Sequence, residues 1–293
     1  MAGEPKPGRV APWLQTHWDL RAAGNFIGGG SGTGLLIVAA FATGVAVRPF
    51  AVVGLALVAL GLFSVFLEIG RRLRAPRVLA HLGRSWMSRE AIVAPFLFAA
   101  GLAAAWYESA PLAWVTGALA AAYLYCQARI LEAAKGIPAW RAPRIVPLIV
   151  VTGLAEGMGL FVALLAVLEL RSPVPWPALV LAALLVARIV AWRAYRSTLQ
   201  APAAALAALD TGRLEFDRLG SWVPAPLAVI AAVLGSGPVA AWLAAAAGVL
   251  AVAGGWHFKF TLVTRAAHNQ GFALPAFPVR GKGAPGPAAK PGW

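Results

Sequence analysis

Asn25, Glu68, Glu90 and Tyr125 are the side chains of this sequence whose types and spacing best suit chemistry. Each stands at or near the end of a long apolar block, and if the blocks alternate in direction all four fall at one depth. Singly, polar groups at such ends are ordinary boundary residues. Together they could line a cavity for a lipid-soluble headgroup, with donors and acceptors for two carbonyls and an acid–base route for protons. Glu156 and Arg188 lie deeper, inside apolar blocks. An unpaired charge at such depth costs about 2.5–3.5 kcal/mol on insertion scales. The two are therefore expected to face each other, as a structural ion pair or as part of a proton path.

Metal chemistry is not expected of the chain itself. Of four histidines, His17, His81 and His268 fall outside the apolar blocks and only His257 falls inside one, so no pair of axial haem ligands can be built within a membrane. Met158 could complete a site with His257, but a methionine in an apolar helix is far more often packing. Cys126 is the single cysteine, which excludes a disulfide framework or an iron–sulfur site of the chain's own. Zinc-protease, serine-hydrolase and kinase motifs are missing as well.

The elements that must position these residues are membrane helices. Hydrophobic residues make up 60% of the chain and charged residues 12%, about half the charged fraction of a soluble domain. Apolar blocks at 27–47, 50–69, 91–107, 112–131, 146–170, 176–195, 222–236 and 238–260 read as eight spans of the about 20 residues a bilayer requires. No alternating polar pattern runs through them, which excludes a β-barrel and predicts an all-α integral membrane protein. The expected organisation is an N-terminal segment over 1–26, a bundle over 27–262, and a Pro/Gly/Ala-rich flexible tail over 263–293. No cleavable signal peptide is expected, since the first 25 residues contain no apolar core.

The formal charge of +14 is distributed by side of the membrane. With eight alternating spans, the 25 basic residues fall on the side of the termini, except Arg48 and Arg171 opposite and Arg188 within a span. The positive-inside rule then puts both termini in the cytoplasm, and the charge needs no nucleic-acid partner. The expected location is a bacterial-type inner membrane.

Five glycines crowd the stretch GGGSGTG, Gly28 to Gly34. It matches neither the dinucleotide nor the P-loop spacing and opens an apolar block rather than a βα unit, so it is not a phosphate cradle. Gly24, Gly28 and Gly32 recur every four residues, as do Gly30 and Gly34, which predicts helix faces that admit close neighbours.

Several segments resemble known membrane subunits. YCQARILEAAKGIPAWRAPRIVPLIVVTGLAEG, from Tyr125, resembles the NrfD/polysulfide reductase membrane subunit family, whose pattern is a Tyr, then A-K-G-x-P-x-W, then Pro and P-L. Here these are Tyr125, Ala134-Lys135-Gly136, Pro138, Trp140, Pro143 and Pro147-Leu148. NFIGGGSGTG looks like that family's F-L-G-G-x-x-A-G. RSWMSRE, Arg84 to Glu90, is similar to the S-x-L-S-x-E segment of DMSO reductase-type anchors. LEIGRRLRAP is similar to their L-H-L-G-S-P, with Glu68 where His is usual. WDLRAAGNFIGGG is similar to the anchors of phenylacetyl-CoA:acceptor oxidoreductases. The likeness covers the first five spans, and no motif extends it beyond Gly157.

The resemblance implies the membrane anchor of a complex iron–sulfur molybdoenzyme. In such complexes a molybdopterin catalytic subunit exchanges electrons with quinone in the anchor, through a four-cluster ferredoxin-like iron–sulfur subunit. It implies menaquinone or ubiquinone beside His17, Asn25, Glu68, Glu90 and Tyr125, with Gly28 and Gly29 as a wall. It also implies docking of a partner's acidic face on Arg71, Arg72, Arg74, Arg77, Arg84, Arg89, Lys135 and Arg141. A different class of function, a stand-alone transporter or channel, would use Glu156 and Arg188 as the substrate path. No internal repeat of the kind common in transporters is present.

Overall fold

The computed structural model describes residues 11–42, 45–68, 78–79, 82–170, 176–235 and 237–271. In chain order the helices are α1 (Leu20–Ala40), α2 (Arg48–Glu68), α3 (Trp86–Tyr107), α4 (Ala110–Ala133), α5 (Pro138–Arg141), α6 (Ile145–Val167), α7 (Trp176–Thr198) and α8 (Ala203–Thr211). A π-helical stretch, Leu214–Trp222, then leads into α9 (Pro224–Leu234), and α10 (Pro238–Phe260) ends in a second π-helical turn, Thr261–Arg265. Among the described residues there is no strand, only an isolated antiparallel bridge between Leu14 and His268.

Seven stretches among the described residues are long and apolar enough to cross a membrane: α1, α2, α3, α6, α7, Leu214–Leu234 and Pro238–Arg265. The chain is a multi-pass, all-helical membrane protein. Large apolar side chains such as Phe63, Leu102, Trp106, Val233, Val239 and Trp242 point outward, as hydrocarbon requires. α4, at 24 residues, is within the 21 to 28 residues of the spanning stretches but falls outside the seven. Alanine fills many of its apolar positions, and Gln127, Arg129 and Glu132 make its second half polar.

The first helix departs from the expected span. It begins at Leu20 rather than near residue 27, because Asp19 caps it: the carboxylate accepts from the Arg21 backbone N–H at 2.8 Å. The hydrogen bond from the Arg21 guanidinium holds the Asp19 carboxyl below the usual carboxylate range. The glycine run, expected at the opening of the first span, therefore lies well inside α1. Asn25 stands more than a turn into the helix.

Six glycines and four alanines in such a helix are tolerated because α1 is the centre of the bundle, with α2, α4, α6 and α10 around it. In its apolar window 83% of residues are buried, against 33% in α2 and in α3. The two glycine series serve different neighbours. A Cβ on Gly28 would meet the Leu57 carbonyl oxygen of α2 at 2.5 Å, and one on Gly34 would collide with the backbone of Gly153 in α6. Gly157 faces Gly34 in the same contact. Gly157→Val is accordingly expected to cost at least 1–3 kcal/mol, about the usual penalty of overpacking, and to lower the melting temperature of the detergent-solubilised protein by several degrees. An unchanged melting temperature would mean that α1 and α6 do not touch there.

At the α1 N-terminal end, three segments knit together. Gln15 N–H donates to the Ala267 carbonyl at 3.0 Å, and Asn269 N–H donates to the Trp13 carbonyl at 3.0 Å. The A-K-G-x-P-x-W segment turns at Lys135 and Gly136 and buries α5 against them. Trp140 stacks on Trp18 with ring centroids 4.8 Å apart, and its indole N–H donates to the Leu262 carbonyl at 2.8 Å. Tyr195 hydroxyl donates to the Ala139 carbonyl at 2.8 Å. Trp140→Phe loses the indole bond and strands a buried carbonyl, an expected cost of about 1–3 kcal/mol that thermal unfolding would read.

Candidate functional site

Two buried polar clusters stand back to back across α1. The first is built from α1, α3 and α4. Ser85 caps α3 by accepting from the Ser88 N–H at 3.3 Å, and one turn on this puts Glu90 inside the bundle, 6% exposed. Tyr123 and Gln127, one turn apart on α4, are both buried, as is Asn25 on α1. The Glu90 carboxyl lies among Asn25, Tyr123 and Gln127. Gln127 Nε2 donates to the Asn25 backbone carbonyl at 3.0 Å, and its amide fills the space that a Cβ on Gly29 would need.

This cluster is polar yet incompletely satisfied. Asn25 Oδ1, Glu90 Oε1, Tyr123 OH and Gln127 Oε1 are all buried, and although the Glu90 carboxyl lies within interaction range of the other three side chains, none of these four atoms makes a hydrogen bond of good geometry. Leaving a buried donor or acceptor unpaired costs about 1–3 kcal/mol, so four poorly bonded polar atoms in one place make this cluster a candidate ligand site. Glu90 and Tyr123 can each donate a proton, and the two amide oxygens accept only.

The second cluster joins α1, α6 and α10. Lys259 Nζ lies 2.6 Å from Glu156 Oε2, both fully buried. Ser31 hydroxyl donates to the same carboxylate oxygen at 2.6 Å and accepts from Trp256 Nε1 at 2.8 Å. Small residues make the room: a Cβ at Gly30 would strike the Lys259 ammonium, and one at Gly255 the Glu156 carboxylate. The expected pairing of Glu156 with Arg188 is therefore corrected, since the partner of Glu156 is Lys259. Arg188 instead donates from Nε to Ser221 Oγ at 3.0 Å, from Nη1 to the Ala251 carbonyl at 2.9 Å, and from Nη2 to the Gly220 carbonyl. The π-helical stretch brings Gly220 and Ser221 to it.

The remaining candidates do not join either cluster. Tyr125, two residues from Tyr123, projects from the other side of α4 and is 43% exposed; Arg129 Nη1 donates to its hydroxyl at 3.1 Å. Glu68 is half-buried at the end of α2, on the side of Asp19 and Arg21, and His17 is exposed. Gly28 packs on the α2 backbone, whereas Gly29 does border Gln127. Of the docking candidates, Arg84 and Lys135 are exposed. Arg141 donates to the Lys135 carbonyl and to Gln270 Oε1, each at 2.6 Å. Arg89 donates to the Leu82 and Gly83 carbonyls and lies 4.1 Å over the Trp86 ring. Arg71, Arg72, Arg74, Arg77 and His81 lie outside the described residues.

Sequence reasoning missed Tyr123, Gln127 and Lys259. On α4 the signal was present: Thr116, Ala120, Tyr123, Gln127 and Leu131 follow a three-to-four spacing, which is one helix stripe. Tyr125 is rotated by about 200° from Tyr123 on a regular helix. Lys259 is obscured by its position beside the terminal basic residues.

No family model matches the chain, and no curated protein matches it.

Proposed function

We propose that the chain is the membrane anchor of a complex iron–sulfur molybdoenzyme, binding quinone or quinol and exchanging electrons with an iron–sulfur partner. The observation that carries the reading is the set of four buried, poorly bonded polar atoms on Asn25, Glu90, Tyr123 and Gln127, brought together from three helices. They fit a ligand with two carbonyl or hydroxyl oxygens. When bound, quinone supplies two-electron, two-proton redox chemistry. Tyr123 hydroxyl and the protonated form of Glu90 would donate to its oxygens, and Asn25 would orient it. Glu90 is the group able to exchange a proton as the ligand's charge changes. Burial thus favours Tyr123 over Tyr125, the residue to which the family pattern points.

An eight-span topology is supported by the length of α4 and by the bridge between Leu14 and His268, since segments before the first and after the last span that meet require an even number of crossings. The basic segments make that end cytoplasmic by the positive-inside rule. The surface at this end, with exposed Lys135 and the Arg141 turn, suits an acidic iron–sulfur subunit. Because Cys126 is buried and is the single cysteine, Lys135→Cys gives a clean topology probe. Labelling by a membrane-impermeant maleimide is expected only after the cell is opened; labelling of intact cells would put the hand-off in the wrong compartment.

A transporter is the second reading, favoured by the buried charges Glu156, Lys259 and Arg188. Co-purification separates the two. An anchor brings iron–sulfur absorbance with it, and a transporter comes alone.

A further inference from the structure

We propose that a cleft between α7, α8 and the π-helical stretch binds the phosphate of an anionic membrane phospholipid. The cleft has a volume of ≈ 360 Å³, and Trp192, Arg193, Arg196, Asp210, Arg213 and Asp217 line it. That is within the range of about 300–1,000 Å³ typical of small-molecule sites.

The pairings inside the cleft leave one cation over. Three guanidinium groups line it against two carboxylates, and each carboxylate is already engaged. Asp210 Oδ1 lies 2.6 Å from Arg196 Nη2. Asp217 Oδ2 lies 3.4 Å from Arg213 Nε, and the same carboxylate is in the field of the buried Arg188. Arg193 is the remainder. It is exposed, lies 5.1 Å over the Trp222 ring, and has no carboxylate within ion-pair distance among the described residues. A guanidinium over a ring face keeps its N–H groups for an anion, and phosphate matches their fork with two oxygens.

The outward face of α7 leads into the cleft from the apolar side. Val186, Val190, Arg193 and Ser197 are all exposed and follow a three-to-four spacing, so one helix stripe passes from apolar to basic within a turn. On the neighbouring α9 and the residues just before it, Trp222, Val223, Val229 and Ile230 are exposed as well. An acyl chain lying along these side chains delivers its headgroup to Arg193. Aromatic rings and arginines at a helix end are the usual composition of the membrane interface. Charge selects among headgroups: a phosphodiester with one negative charge balances the one excess cation. Phosphatidylglycerol offers that alone, whereas phosphatidylethanolamine and phosphatidylcholine bring a cation that meets only engaged carboxylates. Inorganic phosphate has the anion but no chain for the apolar stripe.

The test is native mass spectrometry of the full-length, detergent-solubilised protein titrated with phosphatidylglycerol, phosphatidylethanolamine and phosphatidylcholine of matched acyl chains, with inorganic phosphate as a competitor. Phosphatidylglycerol is expected to bind about tenfold more tightly than either other lipid, the worth of one charge-assisted hydrogen bond. Arg193→Ala, at an exposed position that leaves the fold intact, should remove that preference. Arg144→Ala, at an exposed arginine outside the cleft, should keep it. Equal binding of the three lipids to the unaltered protein would overturn the assignment. So would an equal loss in Arg144→Ala, which marks a general attraction to basic surface, or displacement of the lipid by inorganic phosphate at matched concentration, which marks a site for free anions.

Discussion

Lys259→Met is expected to destabilise the bundle by about 3–5 kcal/mol, the penalty of leaving one member of a buried ion pair without the other. Glu156 would keep its bond from Ser31 but lose the cation at 2.6 Å, in a site where neither side chain reaches solvent. Adding Glu156→Gln should recover most of the loss, because a neutral amide can keep the Ser31 contact without an uncompensated charge. The buried thiol of Cys126 offers the readout, since a thiol-reactive dye labels it only as the fold opens. A double variant no more stable than Lys259→Met would show that the pair is not what Lys259 contributes. Arg188→Leu should be destabilising too, chiefly through its hydrogen bonds, since Glu156 lies near enough to feel its charge but makes no hydrogen bond to it. Its hydrogen-bond partners are Ser221 and the carbonyls of Gly220 and Ala251.

Glu90→Gln is expected to slow quinone-linked electron exchange by about 10²-fold, a typical contribution of a positioned acid–base group, while assembly of the complex stays intact. Glutamine keeps the shape of the side chain among Asn25, Tyr123 and Gln127 but cannot take up or release the proton. Tyr123→Phe should cost about tenfold, the worth of one strong hydrogen bond. Tyr125→Phe should leave exchange unchanged, because that hydroxyl points outward to Arg129. Steady-state and single-turnover assays on the solubilised complex separate these cases. Slowed exchange in Tyr125→Phe with normal exchange in Tyr123→Phe would move the site to the outer face of α4.

Much of this architecture was legible in the sequence because bilayer thickness leaves few choices. Apolar blocks of spanning length became helices, and the four-residue glycine spacing became two packing faces of α1, one toward α2 and one toward α6. Helix ends were less legible. The start of α1 is set by a cap at Asp19, a local hydrogen bond that hydropathy does not register. That shift carried Asn25 and the glycines from a presumed rim into the interior. Asn25 and Glu90 were recognised for their polarity and depth, and the fold brings them together. Depth and motif position point to Tyr125, without regard to helical phase, and phase decides that the buried hydroxyl is that of Tyr123. Glu156 was correctly seen to need a countercharge. The helix that supplies it is not α7 but α10, whose Gly255 makes the space for the carboxylate. Long-range choices of this kind depend on which helices become neighbours, and one-dimensional pattern does not contain that.

The most direct measurement is to purify the tagged chain gently from its native membrane and follow the redox state of whatever co-purifies while a soluble quinone or quinol analogue is added. Iron–sulfur absorbance should accompany the chain, should change on addition of the analogue, and should cease to respond in Glu90→Gln. A chain that purifies alone, with no iron–sulfur absorbance and no analogue bound, would contradict the assignment of an electron-transferring anchor.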